Sequence, residues 1–478
     1  MPTDPIAAAS LAKPAAELLQ RQRRAFAAHG APSLEERRAD ISRLRDAVKR
    51  EAEAIAAAIS EDFGGRARQE SLLADVWPVV AAARHALRHL PQWMKAKSVA
   101  VPLELMPGRA RILPQPLGAV GIIAPGNYPV QLALSPMIAA LAAGNRVMLK
   151  PSELTPRTSE LLAKMLGESF PEEQVAVVLG GSETGAAFAS MPFDHLFFTG
   201  STAVGRRVMQ AAAKNLTPVT LELGGKSPCI LGPDADLAEA ALRVAHGKLL
   251  NAGQTCIAPD YALVPREKLE GFVTAFAAAA KKLYPKLRAN PDYTAIINGQ
   301  NYARLAAALD EARAAGARIV AVDPADEGDM AEVRKIAPTL VIEPDDGLTL
   351  MRDEIFGPIL PVKAYDRLDA AIAFVNARPR PLALYYFGAS ARDRDKVLAG
   401  AHSGGVTVND TLSHIAVENL PFGGVGPSGL GAYHGEDGFR AFSHRKGVMI
   451  QGSLDTKKLL RPPYGRLFAA TIRFMMSR

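Results

Sequence analysis

The sequence predicts an α/β protein built on doubly wound parallel sheets, and three observations predict it. From Gly118 onward, short apolar runs alternate with longer amphipathic ones: "GAVGIIA", then "PVQLALSPMIAALAAG", then "RVMLK". That alternation of strand and helix periods is the pattern of parallel strands joined by crossover helices. A second series repeats it after residue 223, so two α/β domains in series are the simplest account. The chain is also long enough, since 478 residues at 48% hydrophobic and 22% charged can bury a large core in two or three domains.

Taken in order, residues 15 to 95 read as helical, with Ser33 as an N-cap and Glu36 three positions later. "VAVPLELMPGRARILPQP" reads as two strands about a turn at Pro107 and Gly108, a hairpin that can project from the body. The first α/β series continues through a helix from Pro156, "QVAVVLG", "DHLFFTG", the helix "TAVGRRVMQAAAKN" and "PVTLEL". In the second, helices are expected at 236 to 250, 266 to 283 and 299 to 314, with strands near 259 to 264, 317 to 321, 338 to 342, 359 to 364, 382 to 388 and 405 to 409. The Gly-rich "NDTLSHIAVENLPFGGVGPSGLGAYHGEDGFRAFSHRKGV" reads as an irregular linking or oligomerising tail.

Composition excludes several function classes. The net charge of +7 is spread over dispersed basic residues without interleaved aromatics, which argues against nucleic acid as a partner. No segment reaches the roughly 18 apolar residues that span a bilayer. The first residues carry Asp4 and Glu17 and lack the apolar run of a signal peptide. Two cysteines in so long a chain suggest a reducing compartment, so a cytoplasmic protein is expected. His402, His414, His434 and His444 lack metal-ligand spacing, and no metal is expected.

The thiols then have to be judged singly. Cys229 stands within the apolar strand "PCIL" and reads as a small core residue. Cys256 lies in "NAGQTCIAPD", on a loop after a helix that ends at a left-handed turn supplied by Asn251 and Gly253. Read alone it is a small buried loop residue; a nucleophilic thiol has to be accessible and electropositively placed. Upstream, Glu222 ends an apolar strand just before Gly224 and Gly225, where a carboxylate either faces water or needs a partner or a task. "HLFFTGSTAVG" turns through Gly200 and Ser201 into a helix whose free amides suit a phosphate. "GVGPSG" at 424 to 429 fits a dinucleotide fingerprint in letters only, because no strand leads in and Pro427 blocks the helix; "GGKS" at 224 to 227 lacks the first Gly of a P-loop.

These segments, together with "APGNYPVQL", "KPSE", "EIFGPILPV", "PFGGVGPSGLGAYHG" and "FSH", resemble the aldehyde dehydrogenase superfamily in its own order from about residue 20 to 450. The "GNYP" form, the Gly-rich tail and "RPPYG" are most similar to its class 3 branch and, within that, to bacterial coniferyl aldehyde dehydrogenases. The resemblance implies a Rossmann-like NAD-binding domain over 1–96 and 117–222, an α/β catalytic domain over 223–404, and bridging or oligomerisation segments over 97–116 and 405–478, with a small β element for assembly. It implies Cys256 as nucleophile, Glu222 as the base that hydrolyses the thioester, and Asn127 with the Cys256 amide as oxyanion hole. It assigns NAD, with NADP as the alternative, to Lys150 and Glu153 at the adenosine ribose, Gly200, Ser201 and Gly205 at the pyrophosphate, and Glu354 and Phe356 at the nicotinamide end. Tyr128, Leu132, Ile257, His414 and Val417 are placed by the same analogy along the aldehyde tunnel; their mostly apolar character favours an aromatic or hydrophobic aldehyde such as coniferyl aldehyde. The alternatives are a medium- or long-chain aliphatic aldehyde, or a non-catalytic binding protein on the same fold. A homodimer is expected, and the tail "RPPYGRLFAATIRFMMSR" is expected to help dimerise, with peripheral membrane contact as the less favoured role.

Overall fold

The computed structural model describes residues 5–102, 105–453 and 455–477; Leu103 and Glu104 of the expected hairpin and Arg478 of the expected tail lie outside the described residues. The N-terminal segment through Trp93 is helical, as its pattern predicts. Ser33 Oγ accepts from the Glu36 amide at 3.2 Å while the Glu36 carboxylate accepts from the Ser33 amide at 2.7 Å, so the helix Leu34–Arg50 opens on a reciprocal cap. The helix Ala52–Phe63 stops at Gly64, which takes a φ of 71°. A π-helical turn, Leu72–Val76, interrupts the run before the helix Trp77–Trp93.

β1 (Lys97–Val99) and β2 (Arg109–Pro116) pair antiparallel, Val99 opposite Ala110, and form the expected hairpin. β3 (Ala119–Ile123), β4 (Arg146–Lys150), β5 (Val175–Val177), β6 (His195–Thr199) and β7 (Val219–Glu222) make a parallel sheet in the order β7-β6-β3-β4-β5. The chain builds outward from β3 through β4 and β5, then returns to β3's other side with β6 and β7. The order therefore reverses at β3 and β6, and a ligand crevice opens at the carboxyl ends of the strands around such a reversal. The helix Gln131–Ala143, which follows β3, is apolar on every face and buried almost throughout.

The second sheet holds β8 (Pro228–Leu231), β9 (Tyr261–Pro265), β10 (Arg318–Ala321), β11 (Thr339–Ile342), β12 (Ile359–Tyr365), β13 (Ala383–Phe387) and β14 (Gly405–Val408). Their order is β10-β11-β12-β9-β8-β13-β14, and only β10 runs antiparallel to its neighbour.

The last segment departs from the expectation of an irregular tail. β14, the strand expected at 405 to 409, completes the second sheet. β15 (Gly429–Leu430) returns to the first and pairs antiparallel with β7, Gly429 opposite Glu222. β16 (Ser443–Ile450) pairs along the whole of β2, from Ser443 opposite Pro116 to Ile450 opposite Arg109. β16 is exposed on both faces, so its side chains carry no alternation for sequence to reveal. Gly424 and Gly429 serve this turn: a Cβ on Gly424 would meet the Ser428 carbonyl at 2.0 Å, and one on Gly429 the Leu221 carbonyl at 2.5 Å. The glycines of "GVGPSG" thus let a backbone turn close against β7.

Candidate active site

The loop carrying Cys256 is shaped by backbone strain. The helix Leu237–Leu249 ends, and Asn251, Ala252 and Gly253 all take positive φ, at 52°, 50° and 76°. Gly253 has no alternative, since a Cβ there would meet the Gly357 carbonyl at 2.2 Å. For Asn251 and Ala252 the left-handed conformation costs about 1 kcal/mol each, and a set of buried hydrogen bonds holds it. Gln254 donates to the carbonyls of Asn251 at 3.0 Å and Ala295 at 3.1 Å and accepts from the Ile297 amide at 2.9 Å. The Asn251 side chain donates to the carbonyls of Asn127 at 3.0 Å and Gln254 at 3.2 Å. Sequence reasoning expected Asn251 and Gly253 in this turn; Ala252 joins them.

Asn127 is buried on the loop after β3, and its side-chain amide donates to the Gln254 carbonyl at 3.1 Å. An amide has two N–H bonds, so one remains for an oxyanion. Next to it, the Tyr128 hydroxyl lies 2.6 Å from Thr255 Oγ1, which ties the Asn127 loop to the residue preceding Cys256. The Ile257 carbonyl accepts from the Tyr385 hydroxyl.

Cys256 is half-buried and unpaired. Burial, with the carboxylates of Glu354 and Glu222 added, pushes its thiol up to about 12, while its own amide and that of Ile257 work in the opposite direction. The expectation of an electropositive setting is therefore corrected, because the charged neighbours that act on the sulfur are acidic. Glu222, at the end of β7, is almost fully buried and neither carboxylate oxygen has a hydrogen-bond partner. Burial raises its pKa well above the ordinary range. An unpartnered carboxyl inside a protein keeps its proton until something takes it, which suits a group that must exchange one.

Glu354 packs against the glycine turn after β7, where a Cβ on Gly224 would meet its Oε2 at 2.0 Å. Burial first, then Asp260, push its carboxyl up to about 8, against the Gly225 amide, Lys226 and Arg304. One oxygen, Oε1, is buried without a partner. Phe356, half-buried, is held at a φ of 52°. Its loop is pinned by Asp260, which accepts from the Ile355 amide at 3.0 Å, and by Arg304, which donates to the Ile355 carbonyl at 2.7 Å.

The expected dinucleotide residues lie at the carboxyl ends of β4 and β6. Lys150 ends β4 with its ammonium 2.6 Å from the Glu153 carboxylate, Lys150 buried and Glu153 more open. Gly200 and Ser201 lead from β6 into the helix Thr202–Ala213, and Ser201 caps it by accepting from the Val204 amide at 3.4 Å. Gly205 allows close approach to the sheet, since a Cβ there would meet Leu223 Cδ2 at 2.6 Å. Free amides at a helix start, a buried cation, close-packed glycines and an orphaned carboxylate oxygen at Glu354 together fit a dinucleotide diphosphate with two riboses.

Of the expected tunnel residues, Leu132 and Ile257 are buried, with the Leu132 amide bonded to the Tyr128 carbonyl at 3.0 Å, whereas Val417 is exposed. His414 is 2.8 Å from Thr407 Oγ1 through Nδ1, while its Nε2 is buried without a partner, and burial lowers its pKa to about 4. Phe422 stacks with His414 at 5.8 Å and with His434 at 5.2 Å.

Sequence reasoning missed three groups here. Lys248 is wholly buried with no partner on Nζ, and burial brings it down to about 8; in sequence it looks like an ordinary base in a helix's last turn. Lys226 pairs with Asp260, and both act on the Glu354 carboxyl. Arg66, Glu70 and Asp75 reach the site from the helical N-terminal segment, and "RARQE" reads as a solvated i,i+4 charge pair.

The sequence pattern of the aldehyde dehydrogenase family matches residues 6–448. The chain belongs to the aldehyde dehydrogenase family. It is 47% identical over 463 residues to the coniferyl aldehyde dehydrogenase of Pseudomonas sp. strain HR199, covering 96% of this chain and 95% of that one. Among solved structures, the substrate-bound state of Staphylococcus aureus AldH superposes with a TM-score of 0.91 at 37% identity, over 96% of this chain and 99% of that one. An indole-3-acetaldehyde dehydrogenase in complex with NAD+ gives a TM-score of 0.84 at 27% identity, over 92% and 89%. As a family member the chain is an oxidoreductase acting on aldehydes.

Proposed function

We propose that this enzyme oxidises an aromatic or hydrophobic aldehyde, of which coniferyl aldehyde is the example, to its acid with NAD. The observation that carries the reading is the convergence of Cys256, on its strained loop, with the unpartnered buried carboxyl of Glu222. Likeness to the coniferyl aldehyde enzyme supports the substrate class, and the NAD complex of a related fold supports the cofactor. Glu153 at the expected ribose position disfavours a 2′-phosphate, although its pairing with Lys150 keeps the preference modest.

The chemistry follows from the residues. Cys256 gives its proton to water and its thiolate adds to the carbonyl carbon, and the carbonyl electron pair moves to oxygen, where the free N–H of Asn127 and the Cys256 amide donate. Lys150, Glu153, Gly200, Ser201, Gly205, Glu354 and Phe356 would hold NAD, which when bound accepts hydride from the adduct and leaves a thioester on Cys256. Glu222 takes a proton from the water that attacks this thioester, and collapse returns the thiolate and releases the acid. The rise in its pKa fixes the sign: hydrolysis speeds up as pH rises and Glu222 sheds its proton.

A reducing, cytoplasmic setting agrees with two unpaired thiols. No helix among the described residues is long and apolar enough to cross a membrane. We place a homodimer contact on the bridging sheet β1-β2-β16 and on the helix Arg466–Met476, whose Leu467, Phe474 and Met476 are exposed, with membrane contact as the lesser alternative. Steady-state assays of coniferyl aldehyde, benzaldehyde and decanal with NAD and NADP test the reading. Coniferyl aldehyde with NAD should give the highest kcat/KM; a clear preference for decanal overturns the substrate class, and parity with NADP overturns the cofactor.

A further inference from the structure

We propose that Arg66 is a positioning residue for acyl transfer, holding the oxyanion donor Asn127 in register with the Cys256 loop; the inference rests on the roles given above to Asn127 and Cys256. Arg66 is buried and comes from a segment distant in sequence from both. Its Nη1 donates to the Asn127 carbonyl at 3.0 Å, and its Nη2 lies 3.2 Å from Asp75 Oδ2. The guanidinium also stands over the Tyr128 ring at 4.8 Å, and Tyr128 is the residue bonded to Thr255.

Two carboxylates complete the device. Asp75, on the π-helical turn, accepts through Oδ1 from the amides of Val130 at 3.0 Å and Gln131 at 3.1 Å, fixing the chain just beyond Asn127. Glu70, whose Oε2 is 3.8 Å from Arg66 Nε, accepts from the Asn251 amide at the start of the left-handed turn and from Thr294 Oγ1 at 2.5 Å. The Asn127 carbonyl receives donors from both sides, Arg66 and Asn251. One planar cation thereby sets the distance between the loop that bears the nucleophile and the loop that bears the donor. Nη1 alone makes a hydrogen bond, and Asp75 and Glu70 hold the guanidinium by charge; a planar guanidinium faces all three acceptors at once, whereas an ammonium on a flexible stem does not.

An oxyanion donor misplaced by a fraction of an ångström loses most of its effect, while attack at a centre that develops no oxyanion is untouched. Three readouts on Arg66→Lys separate these: the single-turnover burst with benzaldehyde and NAD, release of 4-nitrophenolate from 4-nitrophenyl acetate without cofactor, and alkylation of Cys256 by iodoacetamide. In the ester reaction the thiolate adds to the carbonyl, the oxyanion collapses, 4-nitrophenolate leaves and a thioester forms, so only the first two readouts pass through an oxyanion. Both should slow in parallel by about 10-fold to 100-fold, with KM for the aldehyde little changed and alkylation at the parent's rate. Asp75→Asn, which keeps shape and weakens the anchor of Arg66, should give the same ordering with smaller losses, and it carries the test if Arg66→Lys folds poorly. Alkylation that slows along with acylation overturns the proposal in favour of a loosened loop, and acylation at the parent's rate overturns it outright. A parent protein that neither oxidises aldehydes nor cleaves the ester through Cys256 instead refutes the reading beneath it.

Discussion

Cys229 lies in the middle of β8, between β9 and β13, with no exposed surface, whereas Cys256 lies half-buried on a left-handed turn beside two carboxyls. Burial pushes both thiols far up, Cys229 by burial alone and Cys256 by burial with help from Glu354 and Glu222. Resting acidity therefore does not select the nucleophile. In the proposed mechanism access and a group able to exchange a proton do, and of the two thiols only Cys256 has both. The strand protects its thiol by regular pairing; the loop exposes its thiol at the cost of strained φ angles.

The sharpest break in this comparison is a serine at each position. Cys256→Ser should remove aldehyde oxidation by about 10⁴-fold or more, since a hydroxyl barely ionises where a thiol can. Cys229→Ser should leave kcat at the parent's value and lower stability by about 1–3 kcal/mol, the cost of a buried hydroxyl without a partner. Cofactor reduction and thermal melting of the two variants check this pair; a Cys229→Ser enzyme that folds normally but has lost turnover would contradict the assignment.

Next in size is Glu222→Gln, which keeps shape and removes the base. Steady turnover should fall by about 10²-fold to 10⁴-fold, while rapid mixing shows a burst of reduced cofactor near one equivalent per site. The parent's rate of thioester hydrolysis should climb with pH as Glu222, raised by burial, gives up its proton, and the Gln variant should lose that slope. Steady turnover near the parent's rate in Glu222→Gln would remove Glu222 from deacylation.

The two regions also differ in how far the sequence discloses them. β8 is a four-residue apolar run, so both its existence and Cys229's place in it follow from pattern. The Cys256 turn is half legible: Asn251 and Gly253 announce left-handed conformation, but Ala252 does not, because its φ is imposed by contacts of Gln254 and Asn251 that form only in the folded chain. Arg66, Glu70 and Asp75 are illegible for the same reason. Their partners lie far along the chain, and local periodicity carries no information about such pairs. β16 is hidden differently, since pairing with β2 makes it a strand while both its faces meet solvent.

A smaller effect sharpens the contrast in thiol chemistry. Without cofactor, iodoacetamide should label Cys256 and spare Cys229 in the native enzyme. With the Cys256 thiol pushed up to about 12, its thiolate fraction, and so the labelling rate, should rise about tenfold per pH unit across the neutral and mildly alkaline range. Glu222→Gln should leave labelling unchanged where Glu222 holds its proton and speed it only at the alkaline end, where the parent's Glu222 is ionised and opposes the thiolate. Peptide mapping of the labelled protein at several pH values reads all three, and a rate that levels off near neutrality would show a thiol already ionised.

The smallest expected effect compares glycine in the two regions. Ala252 sits at φ 50° and ψ 35°, a conformation that costs an L-residue about 1–2 kcal/mol relative to right-handed backbone. Ala252→Gly relieves that strain but gives the unfolded chain extra freedom worth about 0.4–1 kcal/mol. Ala252 is also 1% exposed within a hydrophobic cluster, so losing its methyl costs about 0.8 kcal/mol more, and the balance is close to zero, with little shift in Tm. Turnover should be retained, because Glu70, Asn251 and Gln254 hold the turn through groups the substitution does not touch. Cys229→Gly has no strain to relieve: glycine in a strand interior loses about 0.5–1 kcal/mol of backbone preference, and the vacated volume in the core adds to the loss. Melting curves of the two glycine variants, recorded at one pH, should therefore show a clear fall for Cys229→Gly and almost none for Ala252→Gly. A fall in Tm for Ala252→Gly as large as that for Cys229→Gly would mean that Ala252 is held by its methyl contacts and that the strain at the nucleophile's turn is not what the loop has to overcome.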